Sequence, residues 1–499
     1  MSIATRRRAL RAARWCALLS MPLLLGATNI QCPGSNVTSQ GFTQINRNGF
    51  GYVENLIDMN DYPWGLQYFK PDGSKVGHIY CSTGNGIDDQ VLYELGLLGL
   101  PFPPLRPGEV RRYRPDISST TWQSVLDIRN YEQGPLFETT GFRSLTVYKP
   151  KGGPNYIYAG SMSQDPSLWR SATGEPGSWE KVWSYGDRGS IRAMAVHNRV
   201  LYFGVLPGGE IGDGSPSQVW AHDGTESWQI IDDGFGDPAN AGVWTMASFN
   251  DHLYVSVANI LRGFEVWKME GNDRNPPQRV IEGGGGWRGN FAAATSYVFK
   301  DHIYFGTQIL GGINTSGDGT ILRGADLVRL DTNDNLEVVI GPDSISGLNS
   351  GFDKPQNAYI WSMVEYRGQL FVGTWDQTSI IQYAIDEFPE SIEQLLTFLS
   401  TDFEIPGANL GGKAIENFQG GVKRRPTFIS GQLGIGGDLY RSHDGITWHT
   451  VFTDGLGDPY NYGARNMLAV DDDLYIGMAN IYEGFEIWQR DADLDDAEE

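Results

Sequence analysis

Aligned on Leu66, Leu145, Met194, Met246, Ser296, Met363 and Met467, seven similar stretches carry Trp64, Arg143, Arg192, Trp244, Ala294, Trp361 and Arg465 two positions earlier. Three arginines and three tryptophans thus share one repeated position, while other repeat positions keep an apolar or small residue. A guanidinium fork suits a carboxylate, sulfate or phosphate, and an indole face suits a sugar ring or another flat ligand. Variation of this kind within a repeat points to a binding surface, and Asp376 of "GTWDQ" is a further polar candidate beside it. The plainer alternative pairs the arginines with acids of neighbouring repeats and uses the tryptophans as plugs.

The elements that must position these residues are strands. Inner strands begin at "WGLQYF", "FRSLTVY", "IRAMAVH", "VWTMASF", "AAATSYVF", "IWSMVEY" and "ARNMLAV". Each is followed by a second strand such as "LYVSV" or "LYIGM", often after a tight polar turn such as "FNDH". A third strand follows in each unit, as in "FEVWKM" and "FEIWQR", and a fourth in six of them, as in "SWQII" and "TWHTVF". Four antiparallel strands repeated radially are the pattern of a β-propeller, so the expected fold is all-β with seven blades over residues 42–490. The last unit has no fourth strand of its own. "FTQINRNGFGYVEN" at 42–55 matches the fourth strands and their exit loops, so the N-terminal strand is expected to complete the last blade and remove the free sheet edges.

"SHDGITW" at Ser442–Trp448 resembles the Asp-box (BNR) turn of sialidases and other propellers, and "AHDGTESW" at 221–228 is a looser copy. "FRSL" around Arg143 is similar to the FRIP segment of sialidases, without its proline. The resemblance to the sialidase-like superfamily implies that Arg143, Arg192 and Arg465 hold the carboxylate of an acidic sugar. Seven units in place of the usual six depart from that family. The resemblance covers a few turns only, and Asp-boxes also occur in propellers without glycosidase activity.

Insertions between second and third strands are expected at about 83–106 and 375–432, the latter with "PESIEQLLTFLS" along one helical face. Both are placed as a lid over the same face, since long loops in a compact domain are commonly functional. Asn259 and Asn480 in the "ANI" loops read as loop caps, as do the asparagines of "DPAN" and "DPYN". The regular recurrence of the third-strand acids Glu109, Glu265, Asp326, Asp438 and Glu486 argues for scaffold hydrogen bonding, the alternative being a buried Glu that faces the channel as an acid or base.

Composition agrees with a turn-rich β chain: of 499 residues, 64 are Gly, 25 Pro, 15 Trp and 23 Tyr, with 20% charged. "TRRRALRAARW" followed by "CALLSMPLLLGA" reads as an export signal over 1–31, with a tether at 32–41 and an acidic tail at 491–499. The order around Arg6–Arg8 resembles a twin-arginine motif, against the general secretory route. The expected location is secreted or periplasmic, with no integral membrane segment in the mature chain. Residues 1–31 hold five Arg and no acid, so their removal takes the formal charge from −22 to −27. Such a chain repels nucleic acid, which is excluded as a partner. Cys32 and Cys81 allow either a disulfide or a lipid anchor on Cys32.

No HExxH, no cysteine or histidine set at metal spacing, and no P-loop, dinucleotide or GxSxG motif in a suitable context is present, so neither metal nor cofactor is expected. "DTNDN" at 331–335 has the letters of a calcium loop but sits where a hairpin turn is required. Catalytic residues are not identified. Three functions remain: a binding protein for a saccharide or small anion, a hydrolase of acidic sugars, and a scaffold for a protein partner. Fold alone does not choose among them.

Overall fold

A computed structural model describes residues 38–51, 60–84, 107–116, 121–132, 139–208, 214–271, 275–309, 323–379 and 434–490. The expected signal and tail lie outside these residues, as do most of the tether and of both insertions. Among the described residues no helix is long and apolar enough to cross a membrane.

The protein is all-β. Six stretches, 62–127, 139–184, 189–231, 242–281, 290–340 and 357–452, are antiparallel four-stranded meanders. They are numbered here as repeats one to six. A seventh hairpin joins Gly463–Val470 to Asp473–Ala479. The chain divides into two compact units, one holding Thr43–Val243 and Glu483–Trp488, the other Ser39–Phe42 and Trp244–Tyr482. The described strands fall into three sheets, none closed on itself.

Local sequence explains the meanders. Second strands such as Val200–Pro207 and Gln369–Asp376 are buried along almost their whole length, which is why they read as unbroken apolar runs. Fourth strands such as Ser227–Ile231 face water and alternate in character. In the "FNDH" turn, Asn250 and Asp251 both take positive φ, 46° and 60°, as a two-residue hairpin turn requires.

Among the described residues, hydrophobic clusters run from one repeat into the next within each unit. Phe69 and Tyr80 of repeat one pack with Phe142 and Trp169 of repeat two. Phe299 and Tyr304 of repeat five pack with Ile360 and Tyr440 of repeat six. Each fully buried aromatic contributes about 1.5–3 kcal/mol relative to exposure, so neighbours stabilise one another.

The N-terminal segment lies beside the last strand, Glu486–Arg490. Ile45 N donates to Ile487 O at 2.8 Å, and Asn46 Oδ1 accepts from Ile487 N at 2.6 Å. Cys81 is a free, fully buried thiol in the second strand of repeat one; Cys32 lies outside the described residues.

Candidate functional site

The repeated Trp/Arg position is a backbone device. Trp64, Arg143, Arg192, Ala294, Trp361 and Arg465 each fall at the register shift between first and second strand. A β-bulge of this kind leaves one residue without a cross-strand partner and re-aims its side chain. Just before the bulge, the second strand of one repeat ends against the first strand of the next. Gly84 pairs with Gly141 and Trp375 with Gly463.

Two pairs form across those junctions. In the first unit the Arg143 guanidinium lies 4.4 Å from the Trp64 ring centre, and both residues are buried. In the second unit Arg465 lies 5.2 Å from the Trp361 ring centre and is half-buried. Each tryptophan belongs to a Tyr-x-Trp segment, Tyr62–Trp64 or Tyr359–Trp361. Each arginine follows Gly-x, from Gly141 or Gly463. The same cassette therefore occurs twice, and a cation–π contact contributes about 0.5–1 kcal/mol where exposed and up to about 2 kcal/mol where desolvated.

The copies differ at one junction residue. In the first, Trp64 lies across two glycines: a Cβ on Gly84 would meet its ring at 2.4 Å, and one on Gly141 at 2.1 Å. Tyr62 stacks on Trp64, with centroids 6.0 Å apart and planes 25° apart. In the second, Gly463 still underlies Trp361, but Trp375 replaces the other glycine. Tyr359 stacks on Trp375 instead, at 4.3 Å and 29°, and stands edge-on to Trp361 at 79°. Tyr462 stacks on Trp361 at 6.0 Å. Trp375 and Tyr359 are half-buried, as Tyr62 is in the first copy.

Trp375, Tyr359 and Tyr462 are absent from the sequence-derived set. A signal for Trp375 existed: other second strands carry Gly84, Met162, Leu206, Ala258, Gln308 or Ala479 there. The remaining candidates have other neighbours. Trp244 is buried, donates its indole N–H to Gln308 Oε1 at 2.9 Å, and meets Phe291 edge to face. Arg192 occupies the bulge of repeat three, half-buried, and the preceding repeat supplies Arg143 rather than a tryptophan.

Asp376 is fully buried at the end of its strand. Its Oδ1 accepts from Thr378 N at 2.7 Å and from Thr378 Oγ1 at 2.5 Å, and Oδ2 takes Gly436 N at 3.3 Å. Asn259 and Asn480 stand at the same repeat position and likewise accept from the amide two residues on, in Leu261 and Tyr482. Asp376 is thus an ionisable member of a set of loop caps. Burial pushes its carboxyl up to about 7, and the nearby Asp438 adds to the rise against the opposing hydrogen bonds.

The third-strand acids belong to buried networks. Asp438 accepts from Asn357 Nδ2 and Tyr440 OH at 2.8 Å and from Lys354 at 3.2 Å. Asp326 accepts from Asn290 Nδ2 and Arg323, and Glu109 from Asn60 Nδ2 and Arg111. Asn240 and Asn461 of the "DPAN" and "DPYN" loops donate to the carbonyls of Gly234 and Gly455. In "SHDGITW", Asp444 Oδ1 accepts from Ile446 N and Thr447 N at 2.8 and 2.6 Å. Burial alone would raise the Asp444 carboxyl; these donors outweigh it and hold it well below the usual range. "DTNDN" is a hairpin turn, with Asp331 taking Asn333 N and Asn335 N, and Asp334 taking Tyr254 OH and Lys268. Among the described residues no group of His, Cys, Asp or Glu is arranged to hold a metal ion.

No protein-family model and no curated protein matches the chain. Among solved structures it is similar to an ancestral GH74 enzyme, with a TM-score of 0.47 and 9% identity over 89% of this chain and 48% of that one. A prolyl endopeptidase structure gives 0.41 and 11%, over 86% and 50%. The WD40 β-propeller domain of Doa1 gives 0.40 and 8%, over 77% and 87%. The chain spans about half the length of the first two.

Proposed function

We propose that the chain is an exported seven-bladed β-propeller, its ring completed by the strand beginning at Phe42, and that it binds a saccharide or small anionic ligand where its inner strands begin. In this reading Trp64, Arg143 and Arg192 mark those strand starts in the first unit, and Trp244, Trp361, Asp376 and Arg465 in the second. The observation that carries it is the second-unit cassette, where Arg465 over Trp361 adjoins the half-buried stack of Trp375 and Tyr359. Aromatic faces and a guanidinium are complementary to a sugar ring and an acidic group.

Binding without turnover is favoured over hydrolysis. The buried carboxyls Asp376 and Asp438 are engaged in a loop cap and a strand network.

The test is a thermal-shift screen of the purified protein against neutral and acidic oligosaccharides and small anions, with calorimetry on any hit. Saturable binding that weakens at least about tenfold in the Trp361→Ala, Arg465→Ala double variant supports the reading. Silence across the panel, or binding indifferent to that variant, rejects it.

A further inference from the structure

Resting on that reading, we propose that the Tyr359–Trp375 pair is the ligand's seat, taking the apolar face of a hexuronate ring while Arg465 meets its carboxylate.

The argument is the comparison of the two cassettes. Both present a Tyr-x-Trp segment and a Gly-x-Arg segment across a strand junction. In the first, glycine at the junction lets the indole of Trp64 settle over the backbone, with Tyr62 stacked on it and Arg143 buried against it. There Trp64 is buried, and the Tyr62 ring on its face is half-buried, as Tyr359 is in the second. In the second, Trp375 occupies the junction and draws Tyr359 away from Trp361 into its own stack. The result is one additional ring, Trp375, which makes with Tyr359 a half-buried stack that the glycine junction of the first cassette cannot form.

The pair is also held in place. Trp375 meets Trp361 at 6.4 Å and Tyr462 at 6.2 Å, edge to face in both cases. The strand continues into Asp376, whose N–H donates to Tyr462 O at 2.7 Å. A rigid aromatic surface loses little conformational freedom on binding, the condition under which stacking contributes most. Arg465 shares Trp361 with this group, and a guanidinium stacked on an indole directs its N–H groups in plane, toward a carboxylate. Aromatic rings beside one arginine suit a sugar that carries an acid better than a neutral sugar or a bare anion.

The experiment is isothermal titration of the full protein with galacturonic acid trimer and with the neutral galactose trimer, using native protein, Trp375→Gly and Trp375→Phe. Trp375→Gly restores the junction residue of the first cassette, and Trp375→Phe keeps a ring. The expected result is acidic-trimer binding that falls at least about tenfold in Trp375→Gly, stays within about threefold in Trp375→Phe, and exceeds neutral-trimer binding at least about tenfold. Unfolding transitions of the unliganded variants establish that each is folded; should Trp375→Gly not fold, Tyr359→Leu replaces it with the same expectation. Acidic-trimer binding that survives loss of the ring overturns the seat, and equal binding of both trimers overturns the carboxylate assignment. Binding of neither trimer overturns the inference, and the wider reading falls only if the whole panel of saccharides and anions is also silent.

Discussion

The guanidinium carbon of Arg465 sits 5.2 Å from the centre of the Trp361 ring, and Arg143 sits 4.4 Å from that of Trp64 in the same way. In both pairs the tryptophan comes from one repeat and the arginine from the next. The pair therefore fastens neighbouring inner strands at a bulge as well as presenting charge.

The buried pair should show the larger coupling. A double-mutant cycle of Arg143→Met and Trp64→Leu, read by urea unfolding, is expected to give about 1–2 kcal/mol, against about 0.5–1 kcal/mol for Arg465 and Trp361. Equal couplings would mean that burial does not set the strength of the contact.

Asp376 should make stability depend on pH. Its folded carboxyl is raised to about 7 from the ordinary 3.8, so its contribution is fully present below pH 3.8 and is lost as pH rises through about 7. Asp376→Asn supplies the side chain found at the same position in Asn259 and Asn480 and removes that loss. The variant should gain on the order of 1–4 kcal/mol over native protein at pH 8 and little at pH 4. A difference independent of pH, measured by chemical denaturation, would contradict this.

The Asn357 amide supports three buried bonds, to Gly351 O, to Asp438 Oδ2 and from Thr374 Oγ1. Asn357→Ala is expected to destabilise by about 2–4 kcal/mol. Burial already raises the Asp438 carboxyl, with Lys354 opposing the rise. Lys354→Met should therefore cost more at pH 8 than at pH 5, because the unopposed carboxyl must ionise as pH rises. Denaturant midpoints at the two pH values decide this.

Asn46 links the N-terminal segment to the last strand through Ile487 N and Phe485 O. Its replacement by Ala should cost about 1–3 kcal/mol and speed amide exchange at Ile487. Unchanged exchange there would show that the segment does not depend on this side chain.

Much of the fold is legible in the sequence because strands and turns are local. Alternation, unbroken apolar runs, and Asn–Asp turns mark "LYVSV" and "FNDH" within a few residues. The loop-capping role of Asn259 and Asn480 is visible for the same reason: each bonds an amide two residues away. The recurrence of third-strand acids likewise signals a shared network before any partner is known.

The candidate site was legible only in part. Repetition singles out Trp64, Arg143, Trp361 and Arg465, but a bulge leaves no mark in residue order, so their common backbone setting is invisible there. Alignment on the inner strand does not single out Trp375, because that residue lies at the end of the second strand. Its importance depends on Gly463 and Tyr359, which only hydrogen bonding across the junction brings beside it.

By itself, then, the sequence determined the strands, the repeat and the residue types offered at each repeated position, all of which follow from periodicity and turn chemistry. Only tertiary structure decided which arginine rests on which indole, which tryptophan is buried and which is half-buried, and that Asp376 is buried deeply enough to hold its proton near neutrality. Those outcomes depend on burial and on contacts between residues far apart in the chain, which no local pattern records.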